Sequence, residues 1–156
     1  MTLKELRKEK GLTQAEAAAY LGVSRRTYQC YESNAEIQTG MRYEFILEKL
    51  NRYGFIDEDN GVLTVEKIKE ICQKILPDYQ VRYCYLFGSY AKGKATGRSD
   101  VDLLVYTEVT GLRFFELAER LREALHKRVD LLDQRQIEKN FELADEILKD
   151  GIKIYG

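Results

Sequence analysis

Two aspartates, Asp100 and Asp102, stand two residues apart where an apolar segment begins, and that segment continues to Tyr106. On a β-strand, residues i and i+2 point to the same face, so the two side chains would lie roughly 7 Å apart. Carboxylates at that separation repel each other unless a cation lies between them. An all-oxygen ligand set favours Mg²⁺, which binds a few carboxylates together with waters and substrate phosphates. The pair therefore predicts a magnesium site that also takes a phosphate group.

A glycine–serine pair precedes these acids and follows another apolar run, Val81 to Phe87. Gly88 lets the backbone approach a ligand closely, and Ser89 offers a hydroxyl and an N–H to an anion. The order of elements is a strand, a glycine-rich turn with a short helix, and a second strand that receives the acids. Together these features predict a site for a nucleoside triphosphate, either ATP or another NTP.

This pattern, Gly-Ser followed by ten residues and Asp-x-Asp, resembles the minimal nucleotidyltransferases of the DNA polymerase β superfamily. The similarity extends from about Leu76 to the C-terminus. It implies a magnesium-dependent enzyme that uses two Mg²⁺ ions. By the same resemblance, the catalytic and metal-binding acids are Asp100, Asp102 and Asp130. The nucleotide-binding residues would be Gly88, Ser89 and Lys92, although Lys92 and its neighbour Lys94 are equally consistent with solvated lysines.

The third acid, Asp130, lies in a predicted strand between Val129 and Leu131. Burying a lone carboxylate there would be costly, which favours a cation nearby. A salt bridge to Arg128 or to a neighbouring lysine is the structural alternative. Asp133 replaces Asp130 as the candidate acid if the register of the strand is displaced.

The first third of the chain carries repeated signals for short capped helices. Thr2 with Glu5 and Thr13 with Glu16 each form the spacing of a capping box, and Ser24 begins a third helix after a Gly22 turn. Two short helices around a glycine-containing turn predict a helix-turn-helix. The sequence from residue 12 to residue 32 resembles the Xre or phage-repressor helix-turn-helix family.

By that resemblance, the second helix of the pair would enter the major groove of double-stranded DNA. The candidate DNA-binding residues are Gln14, Arg25, Arg26, Thr27 and Gln29. Arginine can pair with guanine and glutamine with adenine, so these residue types suit base readout. A helical bundle that docks a protein is the alternative. Many such domains act as dimers, and we expect a homodimer or a hetero-oligomer.

The predicted fold class is therefore a two-domain protein. A repressor-like, all-α helix-turn-helix domain spans residues 1–54, a linker spans 55–63, and an α+β nucleotidyltransferase domain with a small mixed sheet flanked by helices spans 64–156. Hydrophobic periodicity predicts further helices over residues 41–53, 64–76, 111–127 and 140–150, and strands over 81–87, 128–132 and 152–155. The helix over 111–127 should bury a stripe formed by Leu112, Phe115, Leu117, Leu121 and Leu125.

Composition and the lack of long apolar runs indicate the cellular compartment of this protein. Of its 156 residues 44% are hydrophobic and 33% are charged, and the net charge of −1 gives no argument for nucleic acid by itself. No apolar run approaches the ~18 residues of a membrane helix, and the N-terminal residues lack a signal peptide. The three cysteines lack metal-site spacing, which favours reduced core thiols. We therefore expect a cytoplasmic protein with no membrane partner.

Minimal nucleotidyltransferases of this kind resemble the antitoxins of two-gene systems, whose partners are HEPN ribonuclease toxins. The resemblance implies transfer of AMP to a hydroxyl of such a toxin, and the repressor-like domain would let the antitoxin control its own promoter. One alternative is a transcription regulator whose nucleotidyltransferase domain only senses a nucleotide or is inactive. Another is a transferase that modifies small molecules.

Overall fold

The computed structural model describes residues 1–156, which divide into two units, residues 1–55 and residues 56–156. The first unit is entirely helical. Its helices are α1 (Leu3–Glu9), α2 (Gln14–Leu21), α3 (Arg25–Ser33) and α4 (Met41–Asn51), with a 3₁₀ turn over Ile37–Thr39. The three N-terminal helices begin where the sequence predicts.

Side-chain caps set these helix boundaries. Thr2 and Thr13 both accept a hydrogen bond from the N–H three residues on, and the glutamates at those positions accept one back. Ser24 caps α3 in the same way through the N–H of Thr27. Gly22 ends α2 in the left-handed conformation (φ +73°), which allows the tight turn between α2 and α3. The predicted helix-turn-helix is confirmed.

The second unit alternates helices and strands. Its elements in chain order are α5 (Val65–Ile75), a 3₁₀ turn (Leu76–Tyr79), β1 (Val81–Phe87), α6 (Gly88–Ala91), β2 (Val101–Thr107), α7 (Leu112–Leu125), β3 (Val129–Asp133), α8 (Gln134–Ile137), α9 (Phe141–Asp150) and β4 (Ile152–Tyr155). Thr64 caps α5, and Pro77 lies in the turn after it. The short helix α8 was not predicted, because its four residues are too few for a hydrophobic period.

The four strands form one mixed sheet in the order β3-β2-β1-β4. Strand β1 is antiparallel to both β2 and β4, whereas β2 and β3 are parallel, with α7 as the crossover between them. The predicted small mixed sheet flanked by helices is confirmed. No helix in the structure has both the length and the apolar character needed to span a membrane.

Each face of the sheet has its own core. Alternate residues of β2, including Leu103 and Val105, pack with α5 and α7 in the larger cluster. On the opposite face, Leu104 packs with Phe87 and with Ile147 of α9 in a smaller one. Asp102 is two residues from Leu104 and therefore lies on this second face.

Two predictions about burial are wrong. Leu112 and Phe115 were expected in the buried stripe of α7, yet they are 88% and 63% exposed, because helical geometry places them on the face opposite to Leu117, whereas Phe114 of the same turn packs against the core. The remaining members, Leu117, Leu121 and Leu125, are fully buried. Among the cysteines, Cys72 and Cys84 are buried free thiols as expected, but Cys30 is exposed.

Leu121→Ala should lower the free energy of unfolding of the second unit by about 2–5 kcal/mol, because it leaves a cavity between α7 and the sheet. Leu112→Ala is the matched control, and we expect a change within about 0.5 kcal/mol for this exposed position. Urea denaturation followed by circular dichroism measures both. Equal effects of the two substitutions would contradict the placement of α7.

Candidate active site

The register of the sheet brings two of the predicted acids together. Asp102 pairs with Asp130 across the parallel strands β2 and β3, and it pairs with Phe87 on its other side. Two carboxylates therefore stand side by side on one face of the sheet, next to the point where β1 ends and α6 begins. The prediction from sequence that acids from two strands share one face agrees with this register.

Gly88 lies directly against the Asp102 carboxylate. Its φ of +71° is in the left-handed region, and a Cβ added there would overlap Oδ2 of Asp102. Any other residue would therefore meet two penalties, strained backbone and a clash. The glycine is required because the carboxylate occupies the space that a side chain would take.

The electrostatic environment of Asp102 is unfavourable for a charge. Partial burial, reinforced by the nearby charges of Asp130, Asp100 and Glu146, raises the pKa of Asp102 from its ordinary value of 3.8 to about 6. Carboxyl groups with a pKa raised by burial and like charges are typical of functional sites. Asp100 and Asp130 are thus each close enough to Asp102 to influence its charge.

The other two acids differ in their surroundings. Asp100 lies just before β2, and its Oδ1 accepts a hydrogen bond from Nε of Arg128 at 3.0 Å. Asp130 is exposed at the surface of β3. The expectation that Asp130 is buried is therefore wrong, and Asp102 is the desolvated member instead. Arg128, considered as a partner for Asp130, pairs with Asp100 because the two residues flank the adjacent starts of β2 and β3.

Lys92, a predicted nucleotide-binding residue, is already paired. Its Nζ donates to Oε1 of Glu146 in α9 at 2.9 Å, and this contact raises the pKa of Lys92. Lys94 is exposed, whereas Ser89 is half-buried at the start of α6. Sequence reasoning missed Glu146, because nothing in the pattern of α9 separates it from the other surface acids of that helix.

Asp133, the alternative third acid, has a local role. Its carboxylate caps α8 by accepting from the N–H of Arg135, and it pairs with the guanidinium of the same residue at 2.7 Å. A side chain used in this way is not directed to the other acids. The register therefore favours Asp130 over Asp133.

The donor set can be tested against the expected metal. Asp100, Asp102 and Asp130 provide oxygen ligands only, which suits Mg²⁺, and a cation would offset both the burial and the like charges that raise the pKa of Asp102. As the side chains stand, no group of three or more His, Cys, Asp or Glu residues is arranged to hold a metal ion by itself. Open carboxylate sites of this kind fit a metal that keeps waters and takes further ligands from substrate phosphates.

The predicted DNA-binding residues occupy the helix-turn-helix. Arg25, Arg26, Thr27 and Gln29 are exposed on α3, and Gln14 is half-buried at the start of α2. The amide of Gln29 donates to Gln14, which in turn donates to Glu32 at 2.9 Å. The hydroxyl of Thr27 contacts that of Ser24 at the helix cap. The structure thus brings all five candidates to the two helices of the motif.

The family Polymerase beta, Nucleotidyltransferase matches residues 66–156, which include the whole sheet and its acids. The chain belongs to this nucleotidyltransferase family. A second family, Helix-turn-helix, matches residues 3–52 in the first unit. The two units are thus a helix-turn-helix region and a nucleotidyltransferase domain.

Several relatives of the nucleotidyltransferase domain are named protein adenylyltransferases. The protein adenylyltransferase MntA of Thermococcus cleftensis is 34% identical over 101 residues, covering 64% of this chain and 95% of the relative. MntA of Shewanella oneidensis is 32% identical over 96 residues, covering 60% and 66%. A crystal structure described as a toxin-antitoxin with AMP-PNP is similar with a TM-score of 0.50 and 30% identity, covering 56% of this chain and 73% of that one.

The electrostatics of Asp102 in this nucleotidyltransferase predict a pH-dependent stability. Because its folded pKa is raised to about 6, the folded state binds more protons than the unfolded state between about pH 4 and pH 6. The carboxylate therefore becomes destabilising as the pH rises through this window. Asp102→Asn should raise the free energy of unfolding at pH 8 by about 1–2 kcal/mol, after allowing for solvent screening.

Urea denaturation in metal-free buffer at pH 4 and pH 8 measures this effect. Most of the gain from Asp102→Asn should disappear near pH 4, where the carboxyl is protonated in the folded state and about half protonated in the unfolded state. Asp145→Asn, on the exposed face of α9, is the control and should show neither the gain nor its pH dependence. A loss of stability at pH 8 in Asp102→Asn would disprove the predicted repulsion.

Proposed function

We propose that this protein is a DNA-binding antitoxin that transfers AMP from ATP to a hydroxyl group of a partner HEPN toxin. The observation that carries the proposal is the register pair Asp102–Asp130 beside Gly88, with Asp102 electrostatically strained. The MntA relatives named protein adenylyltransferases support AMP as the transferred group. The similarity to a toxin-antitoxin structure with AMP-PNP supports an NTP donor and a toxin as the partner.

In this proposal Asp100, Asp102 and Asp130 hold magnesium, with two ions expected. Bound Mg²⁺ would neutralise charge on the triphosphate and on the oxygen that leaves. The cation would also remove the repulsion that raises the pKa of Asp102. The hydrogen bond from Arg128 to Asp100 leaves Oδ2 of that carboxylate available as a ligand.

The remaining residues would bind and orient the reactants. The backbone at Gly88 can approach the phosphates, and Ser89 supplies a hydroxyl donor. Lys92 would contact a phosphate only by leaving Glu146. The acceptor oxygen attacks the α-phosphorus, the bond from that phosphorus to the bridging oxygen breaks, and pyrophosphate leaves. The exposed carboxylate of Asp130 would accept the proton of the hydroxyl.

The helix-turn-helix region supports the second half of the proposal, in which the antitoxin binds its own promoter. Arg25 and Arg26 project from the start of α3, where recognition helices contact base edges. A dimer would place two such helices on one operator and compensate for the low charge of a single copy. Binding to an operator and to a toxin would both occur in the cytoplasm, which is the location that this proposal implies.

A second candidate function is a transcription regulator whose nucleotidyltransferase domain only senses a nucleotide. The cations nearest the acids favour this candidate, because Arg128 and Lys92 are both engaged with carboxylates. A sensor could exchange these ion pairs for a nucleotide without chemistry. A small-molecule transferase is a third candidate, and it would label hydroxyl compounds without any protein partner.

The first test is transfer of label from α-³²P-ATP to a candidate HEPN partner protein, in the presence of Mg²⁺. The wild type should label the partner protein. Asp102→Asn should reduce the rate by at least about 10³-fold, since residues that hold the reacting charge contribute several kcal/mol to the transition state. Asp145→Asn, on the outer face of α9, is the matched control and should retain the rate.

The outcomes separate the three candidates. If the wild type and Asp102→Asn both bind ATP and neither transfers label, the result would support the sensor and contradict the transferase. Label on aminoglycoside-like compounds with none on the partner would support the small-molecule enzyme.

The second test concerns the operator. The double variant Arg25→Ala/Arg26→Ala should lose about 10–100-fold or more in affinity for DNA from its own promoter, since each base-contacting arginine is worth about 1–3 kcal/mol. Electrophoretic mobility shift at fixed salt measures this affinity. Lys49→Ala in α4 is the control and should bind like the wild type. Unchanged binding by the double variant would remove α3 from the proposed DNA interface.

A further inference from the structure

Lys127, between α7 and β3, is a lysine with no exposed surface. Its ammonium group donates to the backbone carbonyls of Asn60 at 3.0 Å and Gly97 at 2.6 Å. Asp57 and Asp59 lie close enough to favour its charge, while burial lowers its pKa. Lysines are almost never fully buried without a partner, and here the partners are two main-chain oxygens from distant parts of the sequence.

The two carbonyls belong to segments that pack closely against each other. One segment, residues 57–61, is a turn in which the carboxylate of Asp57 accepts from the N–H groups of Asp59 and Asn60. The other is the loop over residues 92–100. A Cβ at Gly97 would come within 2.9 Å of the carbonyl oxygen of Asp59. The ammonium of Lys127 thus joins two backbone stretches that are in van der Waals contact.

The loop over residues 92–100, which Lys127 holds in place, ends at the first of the candidate acids. Asp100 ends it, and Arg128, the residue after Lys127, donates both to Asp100 and to the carbonyl of Arg98 at 3.3 Å. The N–H of Val101 donates to the carbonyl of Arg128 at 2.9 Å. The start of β3 therefore holds the loop at several successive points, and among the side chains that do so only that of Lys127 is fully buried.

We propose that Lys127 is a positioning residue for nucleotide transfer, which acts by clamping the loop that carries Asp100 against residues 57–61. The inference rests on the proposed function for its catalytic consequence, but the clamp itself is a property of the fold. A buried ammonium suits this task because it has three donors and can satisfy several carbonyl oxygens at once. Residues 57–61 are then a structural support of the candidate active site.

Two variants break the clamp from opposite sides. Lys127→Met keeps the length of the side chain and removes the donors. Gly97→Ala leaves the lysine intact and inserts a methyl group between the loop and Asp59. Lys139→Met is the control, since Lys139 is exposed and makes no side-chain hydrogen bond or ion pair. Hydrogen–deuterium exchange on the full chain provides a readout that does not depend on activity.

Amide exchange over residues 96–101 should accelerate on the order of tenfold or more in both clamp variants, because opening of the loop no longer breaks a charged hydrogen bond or a close contact. Exchange in the centres of β1 and α7 should stay unchanged. The value of kcat/KM for ATP should fall about 10–100-fold, as for other residues that orient the ligands of a metal. The control should match the wild type in every measurement.

Unchanged loop exchange in Lys127→Met would overturn the clamp. Faster exchange throughout the second unit in both variants would reduce Lys127 to a general stability residue and overturn its positioning role as well. A wild type that transfers no nucleotide would refute the proposed function, and a loop that still opens selectively in both variants would then leave the clamp supported. Selective opening with normal kcat/KM would overturn the catalytic part of the inference.

Discussion

The candidate site depends on like-charge repulsion that the sheet enforces. Hydrogen bonding between parallel strands fixes Asp102 beside Asp130, and residues of both strands are buried in cores on the two faces of the sheet. The acids cannot separate unless the register changes, and a change of one residue would place apolar side chains in water. The hydrophobic packing therefore holds the carboxylates together at an energetic cost, and this repulsion adds to the partial burial that raises the pKa of Asp102. A cation bound between these carboxylates would therefore be stabilised by the repulsion that it relieves.

The nearby cations limit this strain without removing it. Arg128 pairs with Asp100 and Lys92 pairs with Glu146, so each compensates an acid at the edge of the group. Asp102, at the centre, has no such partner. Both ion pairs are partly exposed, where net contributions are small and exchange is easy. In the proposed reaction, the metal can therefore replace the cationic partners of the acids, and the triphosphate can replace the acidic partners of Arg128 and Lys92. Both exchanges cost little free energy.

Sequence predicted the fold and the identity of the acids because both depend on local signals. Capping residues fixed the starts of α1 to α3, and apolar runs around Gly88 fixed β1 and β2. The misjudged features depend on tertiary neighbours. Burial was assigned to Asp130 instead of Asp102 because alternation along one strand does not show which end of it helix α9 covers. The pairing of Lys92 with Glu146 and the contact of Lys127 with Gly97 join residues that are 54 and 30 positions apart, so no local pattern contains them.

Both units orient exposed functional groups by means of a shielded charge. In the first unit the side chain of Glu32 is 4% exposed, and it accepts from Arg7 at 2.6 Å and from Gln14 at 2.9 Å. In the second unit Lys127 holds the backbone that leads to Asp100. Each charge is costly to bury, yet in a shielded place its hydrogen bonds are stronger and its geometry is more restricted than at the surface. A buried, hydrogen-bonded charge therefore makes the structure rigid where polar groups must contact a charged ligand. Apolar packing alone cannot provide this rigidity, because hydrophobic contacts are not directional.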